Sequence, residues 1–308
     1  MPAPIALFTY NRPEHTAATI AALARNPLAA ESDLVVFSDA AKASIHEQAV
    51  RTVRRLLRSV QGFRSVSLVE RESNLGLARS IIDGVTRLCN SHGRVIVLED
   101  DLTVATHFLR FMNDALTRYE GENQVMQITG YMFPAKGHTE LPQTFFSRLP
   151  ASWSWATWSR AWTHFQPDAA NLLERLAERD GFWEFDVEGT YAYGAMLRAQ
   201  ANGLLDSWAI RWYASMFLLN GLCLRPSRSL VSNTGFDGTG VHCDVTHDFD
   251  VELSDAPVTE FPDRVEEYRP AVDVIAAFNR SLQPSRGRRL IKRATRWLRH
   301  LTPRAASR

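Results

Sequence analysis

Glu99, Asp100 and Asp101 follow directly on the aliphatic run Val95-Ile96-Val97-Leu98. A run without polar alternation reads as a strand buried on both faces of a parallel sheet. In open α/β sheets the ligand crevice lies beyond the carboxyl ends of the strands, so acids there face a cleft. If extended geometry persists, alternation sends Glu99 and Asp101 to one side and Asp100 to the other. One acid is then free for a metal and its neighbour for something else. Mg²⁺ and Mn²⁺ take oxygen ligands and are commonly held by one or two carboxylates plus substrate phosphates. A sugar linked to a nucleoside diphosphate suits that arrangement, because the cation neutralises the pyrophosphate as the glycosidic bond breaks. The plain alternative is a solvated strand end.

The elements that must position these acids are legible upstream. "IALFTY" and "DLVVFSD" read as strands, and "RPEHTAATIAALARN" between them as a helix with Asn11 as N-cap and Pro13 in its first turn. "SVSLVER" is a third strand. "GLARSIIDGVTRLCNSH" is a helix with apolar spacing at Leu77, Ile81, Ile82, Val85 and Leu88, and "RVIVLED" is the fourth strand. Such alternation predicts a parallel sheet with right-handed crossovers. Neither a GxGxxG turn after the first strand nor a GxxxxGK[ST] loop is present, which lowers dinucleotide-binding oxidoreductases and P-loop enzymes. Beyond the acids come the helix "THFLRFMNDALTRY", the strands "VMQITGYMF" and "TFFSRLP", and a tryptophan-rich stretch. There Trp153 and Trp155 are expected on one strand face, and Trp158 and Trp162 on one helix face, more in keeping with core than with a sugar platform. Helical segments over 168–180 and 188–201, then "DSWAIRWYASMFLLNG", the strand "LCLRP" and the Gly-rich loop "SNTGFDGTGVH" complete the pass.

The chain has 308 residues, 45% hydrophobic and 22% charged, enough for a large core. The N-terminus lacks a signal-peptide pattern, and no stretch reaches the roughly 18 apolar residues needed to span a bilayer. A cytoplasmic location is expected. Cys89, Cys223 and Cys243 form no CxxC, so reduced thiols are expected rather than a disulfide framework or structural zinc. The net charge is +1, but from Arg286 onward there are nine basic residues and no acid, leaving −8 on the preceding 285. "RRLIKRATRWLRHL" sets apolar residues on one face and basic ones on the other, the profile of an interfacial helix on an anionic membrane surface.

"TYNRP", "NLGLARS" and "VLEDDL" resemble, in order and approximate spacing, elements of the family 2-like GT-A glycosyltransferases. The stretch "VIVLEDDLTVATHFLRFMNDAL" resembles the N-acetylglucosaminyltransferase I family, as do "DSWAIRW" and "CLRPSRSLVSNTGFDGTGVH". Coverage is roughly residues 4–245, and the membrane anchor and stem of that family are not expected here. The resemblance implies an α/β fold of GT-A type, with a Rossmann-like, mostly parallel central sheet flanked by helices, an acceptor-side helical region and a basic C-terminal helix. It implies a catalytic domain over 1–245, divided into a nucleotide-sugar half (1–103) and an acceptor half (104–245), an extension over 246–284 and the tail over 285–308.

By position, the resemblance assigns a UDP-sugar donor to Thr9, Asn11, Arg12, Asp39, Asn74, Arg79, Glu99 and Asp100. Asp39 would read the uracil imide, with a strand-end cap as its plain alternative. Arg12 and Arg79 suit base and phosphate contact. Asp101 and His242 would hold Mn²⁺ or Mg²⁺. Asp206 would be the base of an inverting transfer, taking the acceptor hydroxyl's proton, although it also stands where an N-cap would. Trp155, Trp208 and Arg211 would border a saccharide or lipid-linked acceptor in surface polysaccharide synthesis. A sugar nucleotidyltransferase and a catalytically silent sugar-binding module are the competing classes, and no nucleic acid partner is expected.

Overall fold

A computed structural model describes residues 1–238 and 245–283. The first half alternates as its patterning predicts, through β1 (Ile5–Thr9), α1 (Pro13–Ala24), β2 (Asp33–Ser38), α2 (Glu47–Leu57), β3 (Ser65–Glu70), α3 (Leu77–His92) and β4 (Arg94–Glu99). Short β5 (Leu102–Val104) and α4 (Phe108–Arg118) follow the acids. The second half holds β6 (Val125–Thr129), β7 (Thr144–Ser147), β8 (Trp155–Trp158), α5 (Ser159–Trp162), α6 (Ala169–Glu178), α7 (Phe182–Phe185), α8 (Tyr193–Ala201) and α9 (Trp208–Leu218). It ends with β9 (Leu222–Pro226), β10 (Val231–Asn233) and α10 (Arg269–Leu282).

Eight strands form one sheet in the order β3-β2-β1-β4-β8-β6-β9-β7. Strands β3, β2, β1 and β4 are mutually parallel, β8 runs antiparallel between β4 and β6, β9 is parallel to β6, and β7 is antiparallel at the edge. This is the Rossmann-like, mostly parallel α/β architecture that the resemblance implies. Strand alternation divides the core between the two faces. Ile5, Leu7, Leu34, Val36, Ile96 and Leu98 pack with residues of α1, α2 and α4. Ala6, Phe8, Phe37, Val95 and Val97 pack with residues of α3, α5 and α9. A third apolar cluster joins α6, α8, the other face of α9, and α10 through Leu172, Leu197, Phe217 and Ile275.

Several local expectations are corrected. The N-cap of α1 is Arg12, not Asn11, and its side chain makes no capping bond because it is engaged elsewhere. Trp158 belongs to a strand rather than a helix. Because β8 is extended, Trp155 and Trp158, three residues apart, enter opposite faces of the sheet. Trp153 lies outside β8, and between it and Trp155 the buried Ser154 adopts φ +50°, so simple two-residue alternation fails there. Among the described residues, no helix is long and apolar enough to cross a membrane. Cys89 and Cys223 are buried free thiols, each pushed up to about 12 by burial. His242, Cys243 and the basic tail lie outside the described residues.

One ion pair fixes the outer strands. Asp33 at the start of β2 accepts from Arg64 (Nε, 2.9 Å; also Nη2) and from the Ser65 hydroxyl (2.6 Å) at the start of β3. These bonds hold its carboxyl down at about 2. The unfolded chain binds that proton more readily, so the contribution is fully present above about pH 4 and is lost as pH falls toward 2. Asp33→Asn should therefore lower the melting temperature at pH 7 and leave it nearly unchanged at pH 2. Equal losses at both values would contradict the assignment.

Candidate functional site

Strand β4 ends at Glu99 and the chain turns at once, so Asp100 and Asp101 do not continue the strand alternation. They converge instead on one cation. Arg12 Nη2 donates to Asp100 Oδ1 at 3.0 Å and to Asp101 Oδ2 at 2.7 Å. The Tyr10 N–H donates to Asp100 Oδ2 (3.1 Å), and the Thr19 hydroxyl to the Asp100 carbonyl (2.9 Å). Burial raises the Asp100 carboxyl, Arg12 opposes that rise, and Asp101 adds to it. Burial works against charge on Arg12 too, yet Asp100 and Asp101 together outweigh it and hold the guanidinium above its ordinary value. Half-buried Glu99 is pushed up to about 8, by desolvation first and then by the charges of Asp101 and Asp100.

The two-stranded sheet of β5 and β10 carries the beginning of the Gly-rich loop onto these acids. Thr234 donates to the Asp101 carbonyl through its N–H (2.8 Å) and its hydroxyl (3.0 Å). Gly235 lies so close that a Cβ there would fall 2.2 Å from Asp101 Oδ2. Asp237 pairs with His15 of α1 at 3.2 Å. Asp100 and Asp101 supply hard oxygen ligands, and no group of three or more His, Cys, Asp or Glu suited to a metal occurs among the described residues. Two carboxylates are the share that a protein commonly contributes to an Mg²⁺ or Mn²⁺ site completed by phosphates and water.

On the other side of β1, Asp39 accepts four hydrogen bonds. Oδ1 takes the Ala40 and Leu75 N–H groups (2.9 Å each), and Oδ2 takes the Gly76 N–H (2.9 Å) and Asn74 Nδ2 (3.0 Å). Asn74 also donates to the Ala40 carbonyl at 2.7 Å. Asp39 therefore ties the loop before α3 to the end of β2, and a uracil imide would have to take over one of these bonds. Arg79, in the first turn of α3, is exposed. Thr9 Oγ1 and Arg12 Nη1 are buried without a hydrogen-bond partner.

Asp206 precedes α9, but Ser207 occupies the N-cap and its hydroxyl accepts from the Ile210 N–H at 3.4 Å. The capping alternative for Asp206 is thereby corrected. Its carboxylate is 64% exposed and accepts from Arg211 Nη2 at 3.2 Å. Arg211 also donates through Nε to the Ser207 carbonyl at 3.0 Å.

Beside Asp206 lies an aromatic cavity of about 310 Å³, walled by Tyr131, Trp153, Tyr191, Tyr193, Ser207, Trp208, Phe236 and Phe249 among others. No charged side chain lines it among the described residues. Trp208 is a wall of the cavity, but Trp155 is not. The latter has no exposed surface and stacks on Trp208 (4.9 Å, 20°) within the tryptophan core, so the acceptor contact expected of it is corrected. Trp153 lines the cavity instead, edge-on to Tyr131 (4.5 Å) and Phe236 (5.4 Å). Tyr191 and Tyr193 were detectable only as the aromatic pair of "YAYG". Tyr131 and Phe249 carried no sequence signal of their own.

No protein-family profile matches the chain, and no curated protein does. Among solved structures the chain is similar to S. aureus TarS, at 14% identity and TM-score 0.39, over 76% of this chain and 37% of that one. The chain thus spans little more than a third of the length of TarS. It is also similar to mouse xyloside xylosyltransferase 1 in its apo form, at 12% identity and TM-score 0.35, over 70% of this chain and 81% of that one.

Proposed function

We propose that this protein is an inverting, metal-dependent glycosyltransferase that moves a hexose or N-acetylhexosamine from a UDP-sugar to a saccharide or lipid-linked acceptor of a surface polysaccharide. One observation carries the proposal: the strand-end acids and the aromatic cavity share a wall. Gly235 packs on Asp101, the next residue, Phe236, lines the cavity, and the cavity also reaches Ser207, the neighbour of Asp206. An anionic donor site and an uncharged, aromatic-lined acceptor site are thus adjacent, with a carboxylate beside the latter.

Asp101, with Asp100 beside it, would hold Mn²⁺ or Mg²⁺, which when bound neutralises the diphosphate. Aromatic side chains of the cavity orient the acceptor through its apolar faces. Asp206 takes the acceptor hydroxyl's proton as that oxygen bonds to the anomeric carbon, and the bond from that carbon to the diphosphate breaks with its electron pair leaving on UDP.

Incubation with candidate nucleotide sugars tests the reaction class. Free UDP is expected, whereas UTP and sugar 1-phosphate formed only on addition of pyrophosphate would indicate nucleotidyl transfer, and binding without turnover a sugar-binding module. In a thermal-shift panel, the cognate donor should raise the melting temperature with Mn²⁺ present, since only a ligand of the native state does so. Asp101→Ala should abolish the metal dependence of UDP affinity and leave the fold intact. Undiminished transfer in excess EDTA would sink the metal requirement.

A further inference from the structure

Arg12 Nη2 bridges one oxygen of Asp100 and one of Asp101, at 3.0 and 2.7 Å. Two adjacent carboxylates at a largely buried strand end repel one another and require a positive counter-charge. Here a side chain of the same chain supplies it. Arg12 is not fully satisfied in that position, because Nη1 is buried and has no acceptor. A guanidinium fork with one arm unused retains capacity for a further acceptor. Three residues earlier, at the end of β1, the Thr9 hydroxyl is likewise buried and unpartnered. Both unpaired groups belong to the segment that supplies the Tyr10 N–H to Asp100.

Resting on the metal-dependent transfer proposed above, we infer that Arg12 and the divalent cation are alternative counter-ions of one acid pair: the guanidinium leaves Asp100 and Asp101 as the cation binds, and moves to the donor's diphosphate. Close approach of both cations to the same carboxylate oxygens is opposed by their mutual repulsion. A diphosphate resolves the conflict, because it gives the released fork the bidentate oxygen partner it suits. Metal binding and nucleotide binding are thereby coupled through one side chain.

The test is direct Mn²⁺ binding, read from the spin-resonance signal of free Mn²⁺, for the full chain without nucleotide and then with UDP. Arg12→Ala should bind Mn²⁺ roughly tenfold or more tightly than the parent in the absence of UDP, because its competitor is gone. Arg12→Lys keeps one positive charge but cannot bridge both acids as a planar fork, so it should fall between the two. UDP should raise the parent's Mn²⁺ affinity more than it raises that of Arg12→Ala. In chelator Arg12→Ala should melt below the parent, and Mn²⁺ should recover much of the difference. Mn²⁺ binding by folded Arg12→Ala and Arg12→Lys that is no tighter than the parent's overturns the exchange. If the parent's UDP affinity still depends on Mn²⁺ in that case, the metal-dependent function stands without it. Absence of Mn²⁺ binding in every protein, with or without UDP, overturns both.

Discussion

Asp206→Asn should lower glycosyl transfer by roughly 10² to 10⁴, the usual contribution of a positioned general base, while donor affinity and melting temperature stay close to the parent's. The structure makes this substitution more informative than the sequence alone suggested. An N-cap aspartate would have offered a stability role for the same residue, but the cap of α9 is Ser207. What Asp206 does hold is an ion pair with Arg211 in which the carboxylate is exposed and the guanidinium side chain largely buried; because Arg211 keeps its bond to the Ser207 carbonyl, loss of the pair should cost about 1 kcal/mol. Asparagine keeps the volume and removes the basicity. The decisive measurement is kcat together with UDP-sugar affinity and melting temperature. Transfer within about threefold of the parent, far below the range for general-base catalysis, would remove Asp206 from the reaction. The base would then have to be sought elsewhere. Asp237, paired with His15 beside the acid site, would be the next carboxylate to test.

The second large effect is on stability. Trp155→Ala should cost about 3–5 kcal/mol, because it empties the centre of a packed tryptophan cluster. Trp155 touches Trp162, Trp208 and Trp212 with centroids 4.9–6.5 Å apart and has no exposed surface. That loss is a large part of the roughly 5–15 kcal/mol by which a domain is stable. Trp155→Phe should cost much less: it keeps an aromatic ring in the cluster and removes an indole N–H that is buried without a partner. Denaturant unfolding of the two variants checks the contrast. Trp153→Ala, at the cavity wall, should instead change acceptor KM with a smaller loss of stability. A reversal, with Trp155→Phe raising acceptor KM at unchanged stability, would return Trp155 to the acceptor site.

Sequence by itself determined the alternating first half of this protein and the place of its acids. Apolar runs such as Val95–Leu98 are two-sided strands because only a covered parallel sheet buries both their faces, and the acids that follow such a run fall at the strand end, where the cleft lies. The 3.6-residue spacing of α3 and α4 was equally local information. Only the tertiary structure decided what each candidate side chain touches. Asp100 and Asp101 converge on Arg12 because the chain turns directly after Glu99, a turn that strand alternation does not contain. Trp153 and Trp155 separate because Ser154 takes a left-handed φ, and because β8 inserts antiparallel between β4 and β6, a pairing between segments distant in sequence. The aromatic cavity gathers Tyr131, Trp153, Tyr193, Trp208, Phe236 and Phe249 from six stretches of chain. No periodicity within one segment encodes such a gathering, since it arises from how strands and helices pack once their own apolar faces are buried.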